Sequence, residues 1–504
     1  MRDRCFFLYI ETCMAIHTSI DRPSIAQFIK GESKMPKFRP IPQMLLIGTV
    51  LALLVASCAA PPATPVTIEK TVEVPVEVEK TVVVVETQIV EVMTTPEPAP
   101  SKEPLPEILL WAKTGPEGDA LEKAAVVYTR ETGNPVKVLI VGRAGFRQKY
   151  NTALAAGSTE VDGILDIARV VPSLAAAGLL APLDEYIKND PEYNLDDIPA
   201  PVQREMMFDG KWYMAPTDLS QETLVYRKDL IPEPPKTWEE LRENAKKFTR
   251  SINPDSPTEY GYAYAGMPGN LVGTVLGIQH AYGGQIVDEN MCVQLDKPEF
   301  IEAFSFLMDM KNVDKVTPPD LSAWDYAELL TALQEGVVAQ ASFFNAGMPV
   351  LTNCEQSPKV CNDQIAYVPQ PAGPKGSFTR INPLGIMVNA ASPRIDAVWA
   401  FLSWLTGPDG ALIYTQFGGN SPRTSVLTNP EIVAKRPWLP AMAEASKNGV
   451  GNLRLAKAAE INDIFNKWAD QALAGSISPE EALKKAAEEL RALLDEANNP
   501  ACKP

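Results

Sequence analysis

Apolar positions along the chain follow three rhythms, and each predicts a different kind of structure. From Glu107 onward short apolar runs alternate with stretches of helical period. Ile108 to Ala112 predicts a buried strand, Leu121, Ala124, Ala125 and Tyr128 a helix, and Val136 to Val141 a second strand. Phe146, Tyr150 and Leu154 predict the next helix, with Gly157 at its end, and Ile164 to Ile167 a third strand. Strands alternating with helices predict a parallel sheet. Ligands of such sheets bind beyond the carboxyl ends of the strands, so Lys113, Thr114, Glu117, Asp166 and Arg169 are expected to face a cleft.

A second rhythm precedes the first. Residues 59 to 106 alternate valine with glutamate between Pro61-Pro62 and Pro96-Glu97-Pro98-Ala99-Pro100, and Glu69-Lys70-Thr71-Val72 recurs as Glu79-Lys80-Thr81-Val82. Period two favours an extended chain, yet the valines have nothing to bury against, so a solvated stalk is expected. From Cys58 to Pro104 it could reach at most ~150 Å at about 3.3 Å per residue. Upstream, Met35, Lys37 and Arg39 introduce the apolar run Met44 to Ala56, then Val55-Ala56-Ser57-Cys58. As a helix this run spans only ~20 Å, short of the ~30 Å hydrocarbon core, which predicts a signal segment rather than a spanning helix. Small residues before a cysteine resemble the bacterial lipoprotein signal, which implies a lipid-modified Cys58 as mature N-terminus. Whether translation starts at Met1 or Met35 stays open.

The third rhythm lies between Asp209 and Arg250. Asp209 to Pro216 reads as a β-prone run, Thr217 to Gln221 as a polar break containing Asp218, and Leu224 to Tyr226 as a second β-prone run. A proline-stiffened turn, Ile231 to Pro235, leads into a helix capped by Thr237, with Glu240 positioned to reach back to the cap amide. Two domains are expected to meet here.

Composition narrows the function classes. At 504 residues the chain is too long for one core, and 45% apolar residues can fill several. A net charge of −17 argues against a nucleic-acid partner. Beyond Cys58 the chain holds one histidine, His280, and no Gly-x-Ser-x-Gly, His-Glu-x-x-His, phosphate-loop or dinucleotide motif, so triad, metalloprotease and cofactor chemistry have no basis. Asp190, Glu192, Asn194 and Asp196 alternate like a calcium loop but lack its glycine, and no Cys-x-x-Cys occurs; neither a metal nor a cofactor is expected. A glycosidase, which needs only two carboxylates flanking a sugar, is the enzyme alternative. Cys354 and Cys361 flank a short loop and predict a disulfide, which leaves Cys292 with Cys502.

The segment Gly210-Lys211-Trp212-Tyr213-Met214-Ala215-Pro216, then Tyr226-Arg227-Lys228-Asp229-Leu230, then Pro234-Pro235-Lys236-Thr237-Trp238-Glu239-Glu240 resembles the hinge region of the extracellular solute-binding proteins of ABC importers, maltose-binding protein among them. Arg227 stands where relatives carry asparagine. Thr132-Gly133, Gly178 to Leu183, Tyr260-Gly261-Tyr262 and Tyr282-Gly283-Gly284 follow in the family's order, so the resemblance covers residues 105 to 496. It implies a periplasmic-binding-protein-like α/β fold, two lobes joined by a multi-crossing hinge with a ligand cleft between them. The expected division is 1–57 upstream segment and signal, 58–106 stalk, 107–220 with 384–422 lobe 1, 221–383 with 423–496 lobe 2, and 497–504 tail. Relatives that bind oligosaccharides often place a tryptophan after the strand Val338 to Phe343; here Phe344 and Asn345 take that position, with Trp324 second in rank. Arg380 at the second crossing and Arg423 at the third complete the candidate ligand set with Asp218. The family implies a monomeric receptor outside the cell membrane, with a small solute, a carbohydrate, as cargo and the importer's membrane subunits as partners.

Overall fold

A computed structural model describes residues 105–361 and 364–502. The signal segment, Cys58 and the valine–glutamate stalk lie outside the described residues.

The predicted βα rhythm is present. Strand β1 (Ile108–Lys113), helix α1 (Pro116–Thr132), β2 (Val136–Val141), α2 (Phe146–Ala155) and β3 (Gly163–Ile167) follow one another. β1 lies between β2 and β3 and runs parallel to both. Leu110, Ala112, Ile164 and Leu165 are fully buried, as expected of strands covered on both faces. Gly133 closes α1 in the left-handed conformation at φ 75°, which ends the helix and frees the chain to turn into β2.

The polar stretch from Thr217 to Gln221 does not break the chain's extended run. A single strand, β4 (Met214–Arg227), passes through it, because Asp218 and Gln221 are buried and supplied with partners rather than solvated. The Gln221 amide N–H donates to Asn345 Oδ1 at 2.8 Å and its side chain to the Met442 carbonyl at 3.0 Å. After β4, α3 (Trp238–Lys247) starts at the predicted cap: Thr237 Oγ1 accepts from the Glu240 amide at 3.1 Å. Glu240 itself accepts from the Lys236 amide at 2.7 Å, one residue before the cap amide it was expected to hold.

Helices α4 (Leu271–Thr274), α5 (Pro298–Asn312) and α6 (Tyr326–Gln334) precede β5 (Gln340–Phe344), β6 (Ile365–Val368) and β7 (Thr379–Val388). Helices α7 (Ile395–Thr406) and α8 (Pro408–Gln416), strand β8 (Gly449–Val450), and helices α9 (Ala458–Leu473) and α10 (Pro479–Leu493) complete the chain. The main sheet runs β2-β1-β3-β7-β4-β5, with β8 on β7 and β6 on β4. β7 is antiparallel to both β3 and β4, so the sheet is mixed rather than purely parallel.

Two long strands give the molecule its two lobes. β4 pairs with β7 over its first half, then with β5 and β6 over Glu222–Arg227. β7 pairs with β3 over Leu384–Val388, while its beginning lies against β8 and the middle of β4. Helices α1, α7 and α8 cover the β1–β3 lobe, with Tyr128 edge-on to Phe401 at 5.1 Å. Helices α5, α9 and α10 form the other, with Phe465 against Phe300 and Phe304 at 6.0 and 5.9 Å. At the crossing, Gly385 admits the Ala215 carbonyl, which would lie 2.3 Å from any added Cβ.

Candidate functional site

The carboxyl ends of β1 and β3 deliver Lys113 and Asp166 side by side, and α2 adds Arg147 and Tyr150 from the first turns after β2. Asp166 is 1% exposed. It accepts hydrogen bonds from Arg147 Nε at 2.9 Å, Arg147 Nη2 at 3.3 Å, Tyr150 OH at 2.9 Å, Lys113 Nζ at 3.3 Å and its neighbour's amide at 2.8 Å. Burial pushes its carboxyl upward, but Arg147 and Lys113 outweigh burial and hold it below its ordinary range. Asp166 therefore has no lone pair left for a solute. It sets the positions of Lys113 and Arg147, which line the neighbouring cavity.

Lys113 also approaches Glu117 at 3.9 Å, and Glu117 meets Arg143 at 3.6 Å. Thr114 turns its hydroxyl to the Val141 carbonyl at 3.2 Å. Arg143, Arg147 and Lys113 line a cavity of about 430 Å³ with Phe146 and Asp166. Next to it a second cavity of about 350 Å³ lies between the lobes. Its β1–β3 side is made by Arg147, Arg169 and Ser173, its far side by Val272, Asn452, Asn462 and Asp463. Arg169 makes no hydrogen bond or ion pair with another described residue, and burial together with Arg147 and Arg380 pushes its guanidinium below the ordinary range.

Arg380, expected at the second crossing, reaches this region from β7. Its Nη1 donates to Glu222 at 2.8 Å, its guanidinium lies 5.3 Å from the centre of the Phe344 ring, and Gly273 leaves the room it occupies. Phe344 is thus half-buried with Arg380 over its face, and the expected stacking platform for a sugar is covered.

Four candidates are placed elsewhere. Asn345 is 1% exposed and braces the crossing: it accepts from Gln221 and donates to the Leu219 carbonyl at 3.1 Å. Arg423, also 1% exposed, donates to the carbonyls of Asn194, Thr406 and Tyr193 and pairs with Asp197, so four of its five N–H groups are used inside the protein. Asp218 is buried at the third crossing, where its carboxylate accepts from the Asn420 amide at 2.8 Å and Tyr414 at 3.4 Å. Burial first, and then the charge of Glu117, push its carboxyl up to about 7. Trp324 lines a separate shallow cavity with Ala327, Thr331 and Val337 along α6.

The sequence reading missed Arg147, Ser173, Asn452 and Asn462. Arg147 was legible, since it opens the helix that follows β2 on the same edge as Lys113. Asn452 and Asn462 carry no such signal, because only the return of the chain after the third crossing brings them to the cleft. Among the described residues no group of three or more His, Cys, Asp or Glu side chains could hold a metal ion. Cys354 is bonded to Cys361 and Cys292 to Cys502.

Relatives fit this arrangement. A curated protein of Sinorhizobium fredii, named "Probable amino-acid ABC transporter periplasmic-binding protein", is 26% identical over 75% of this chain and 86% of its own length. The maltotriose-binding protein of Pyrococcus abyssi is 27% identical over 52% of this chain and 54% of its own. The structure of an ABC transporter solute-binding protein from Agrobacterium radiobacter in complex with ribitol superposes with a TM-score of 0.66 at 25% identity, covering 78% of this chain and all of the other (100%). Residues 112–412 match the model of the bacterial extracellular solute-binding proteins, so a two-lobed chain with a polar cavity between its lobes belongs to that family, as an exported binding protein of an ABC transporter rather than an enzyme.

Proposed function

We propose that the chain captures a sugar-type solute, a sugar, polyol or short oligosaccharide, by closing its lobes around the cavity, and delivers it to the membrane subunits of an ABC importer. The observation that carries this reading is the interlobe cavity itself, where Arg147, Arg169, Ser173, Asn452 and Asn462 present hydrogen-bonding groups from both sides. Hydroxyls leaving water need such partners one for one. Relatives named for maltotriose and ribitol support the solute class. The relative named for an amino acid shows that the solute has to be tested. The ligand-contact set in this reading is Arg147, Arg169, Ser173, Asn452 and Asn462 around the interlobe cavity, with Lys113, Thr114, Glu117 and Arg380 beside it. Asp166 positions Arg147 and Lys113.

Closure is affordable: a micromolar solute supplies about 8 kcal/mol, and moving a hinge from mostly open to mostly closed takes about 5.5 kcal/mol of differential affinity. The hinge would be β4 near Asp218–Gln221, β7 near Asn382–Pro383 and the chain near Asn420. Lobe 1 would comprise 107–220 with 384–422, and lobe 2 would comprise 221–383 with 423–496. The receptor would act as a monomer held to the membrane through lipid on Cys58, with residues 58–106 as its tether. The test is a thermal-shift screen of sugars, polyols and amino acids, with chromatography of each sugar afterwards. A raised melting point with an unchanged sugar is expected; shifts from amino acids alone would refute the sugar class. Labelled palmitate should enter the wild-type chain and not Cys58→Ala.

A further inference from the structure

The cleft reverses the sign of the molecule. The chain carries −17 overall, yet four arginines, Arg147, Arg169, Arg380 and Arg454, converge on the interlobe region. Three of them are matched: Arg147 by Asp166 at 2.9 Å, Arg380 by Glu222 at 2.8 Å, and Arg454 by Glu205 at 3.9 Å. Arg454 also donates to the Ala168 carbonyl at 2.8 Å, in the residue before Arg169. Arg169 alone is unmatched, and it lines the cavity. Asp166 attracts Arg169 but is itself bonded to Arg147 and Lys113, so the Arg169 guanidinium keeps hydrogen-bonding groups and positive charge to offer a ligand.

The apolar side of the site points the same way. No aromatic residue lines the interlobe cavity, and the nearby Phe344 ring is covered by Arg380. A neutral sugar is commonly held by ring stacking as well as hydrogen bonds; this cleft offers guanidinium groups and amides instead. We propose that the cargo is a polyhydroxylated anion of sugar size, a sugar acid, whose carboxylate is bound by the Arg169 guanidinium. The proposal rests on the sugar-receptor reading above and adds its charge. A planar guanidinium accepts a carboxylate through two parallel hydrogen bonds, while Ser173, Asn452 and Asn462 take hydroxyls. Arg169 is the lining cation without an ion pair, and a single guanidinium suits a carboxylate better than a phosphate dianion. Asp463 on the opposite wall adds a negative charge that disfavours the dianion further.

The experiment is titration calorimetry of the full-length chain with gluconate and glucuronate, their neutral counterparts sorbitol and glucose, glucose 6-phosphate, and glutamine. The acids should bind at least tenfold more tightly than the neutral compounds, and high ionic strength should narrow the gap. Arg169→Gln should weaken acid binding about tenfold to a hundredfold, by a larger factor than it weakens neutral-sugar binding, and leave the melting point unchanged. Arg169→Lys should restore part of the loss, since it keeps the charge and loses the fork. Equal affinity for acids and neutral sugars, unaltered acid binding in Arg169→Gln, or a lowered melting point of that variant would overturn the charge inference and leave the sugar reading standing. Preference for the phosphate ester would overturn the carboxylate assignment. Glutamine binding with no sugar binding would overturn the sugar reading itself, and binding of none of the probes would overturn the proposal.

Discussion

Asp166 has its carboxylate taken up by its own neighbours, so in the proposed site it would position cations rather than hold the solute. Three of its five hydrogen bonds come from Lys113 and Arg147, cations that would otherwise repel one another, and two from the Tyr150 hydroxyl and the Ile167 amide. Asp166→Ala is expected to destabilise the protein by about 3 kcal/mol, the low end for a broken buried pair because Arg147 remains 41% exposed. A residue that only contacted ligand would leave the empty protein's melting point unchanged. The pH dependence separates the two roles. The carboxyl is held below its unfolded value, so its contribution is present above that value and lost as pH falls through the folded one. Melting curves of wild type and Asp166→Ala should therefore lie far apart at neutral pH and converge in acid; parallel curves would contradict the ion-pair account.

At the scale of elements, the crossing strands carry the hinge in polar groups that are buried. The strands of the β1–β3 lobe and the cap at Thr237 were legible because each rests on local rules: apolar runs, and a hydroxyl one turn before an amide. The course of β4 was not. Thr217 to Gln221 read as a polar break, and only partners distant in sequence, Asn420 for Asp218 and Asn345 and Met442 for Gln221, make it part of a buried strand. The same limit hid the roles of Asn345 and Arg423, whose side chains bond backbone groups over 100 residues away or more. Asn345→Ala leaves the Gln221 amide and the Leu219 carbonyl without that partner, and a loss of about 1–3 kcal/mol in urea denaturation is expected. Asp218 gives the hinge a pH response of opposite sign to that of Asp166. Its folded carboxyl is raised to about 7, mainly by burial, so the native state binds a proton that the unfolded state has released. Stability from this group falls as pH rises from about 4 to 7. Glu205, also raised to about 7 by burial, acts in the same direction, so the test is the difference between wild type and Asp218→Asn. That variant should gain on wild type as pH rises through this window, and a constant difference would remove Asp218 from the account.

For the whole molecule, export brings oxidising conditions, and the two disulfides play unequal parts there. Cys354 and Cys361 close a loop only 7 residues apart, within the β5-to-β6 connection. Cys292 and Cys502 are separated by 210 residues, and their bond ties the end of the chain beyond α10 to the segment before α5. Arg491 supports the same junction by pairing with Asp296 at 2.8 Å, and Glu496 accepts from the Val293 amide at 2.8 Å. Loop-closure entropy grows with the logarithm of loop length, which sets the longer bridge at about 5 kcal/mol and the shorter at about 2 before native-state effects reduce both. Replacing Cys292 and Cys502 together by serine should lower stability by about 2–4 kcal/mol, and replacing Cys354 and Cys361 by distinctly less. The cleft should not register either change. Its far wall is formed by the start of α9 and by α4, which Asn466 joins through bonds to Val272 and Gly269 at 2.9 and 3.0 Å. Denaturant midpoints of the two double variants, measured beside their affinity for the same solute, therefore give a sharp expectation: unequal midpoints and unchanged affinity. Affinity falling together with the midpoint in the Cys292/Cys502 variant would mean that the C-terminal junction helps to shape the cleft.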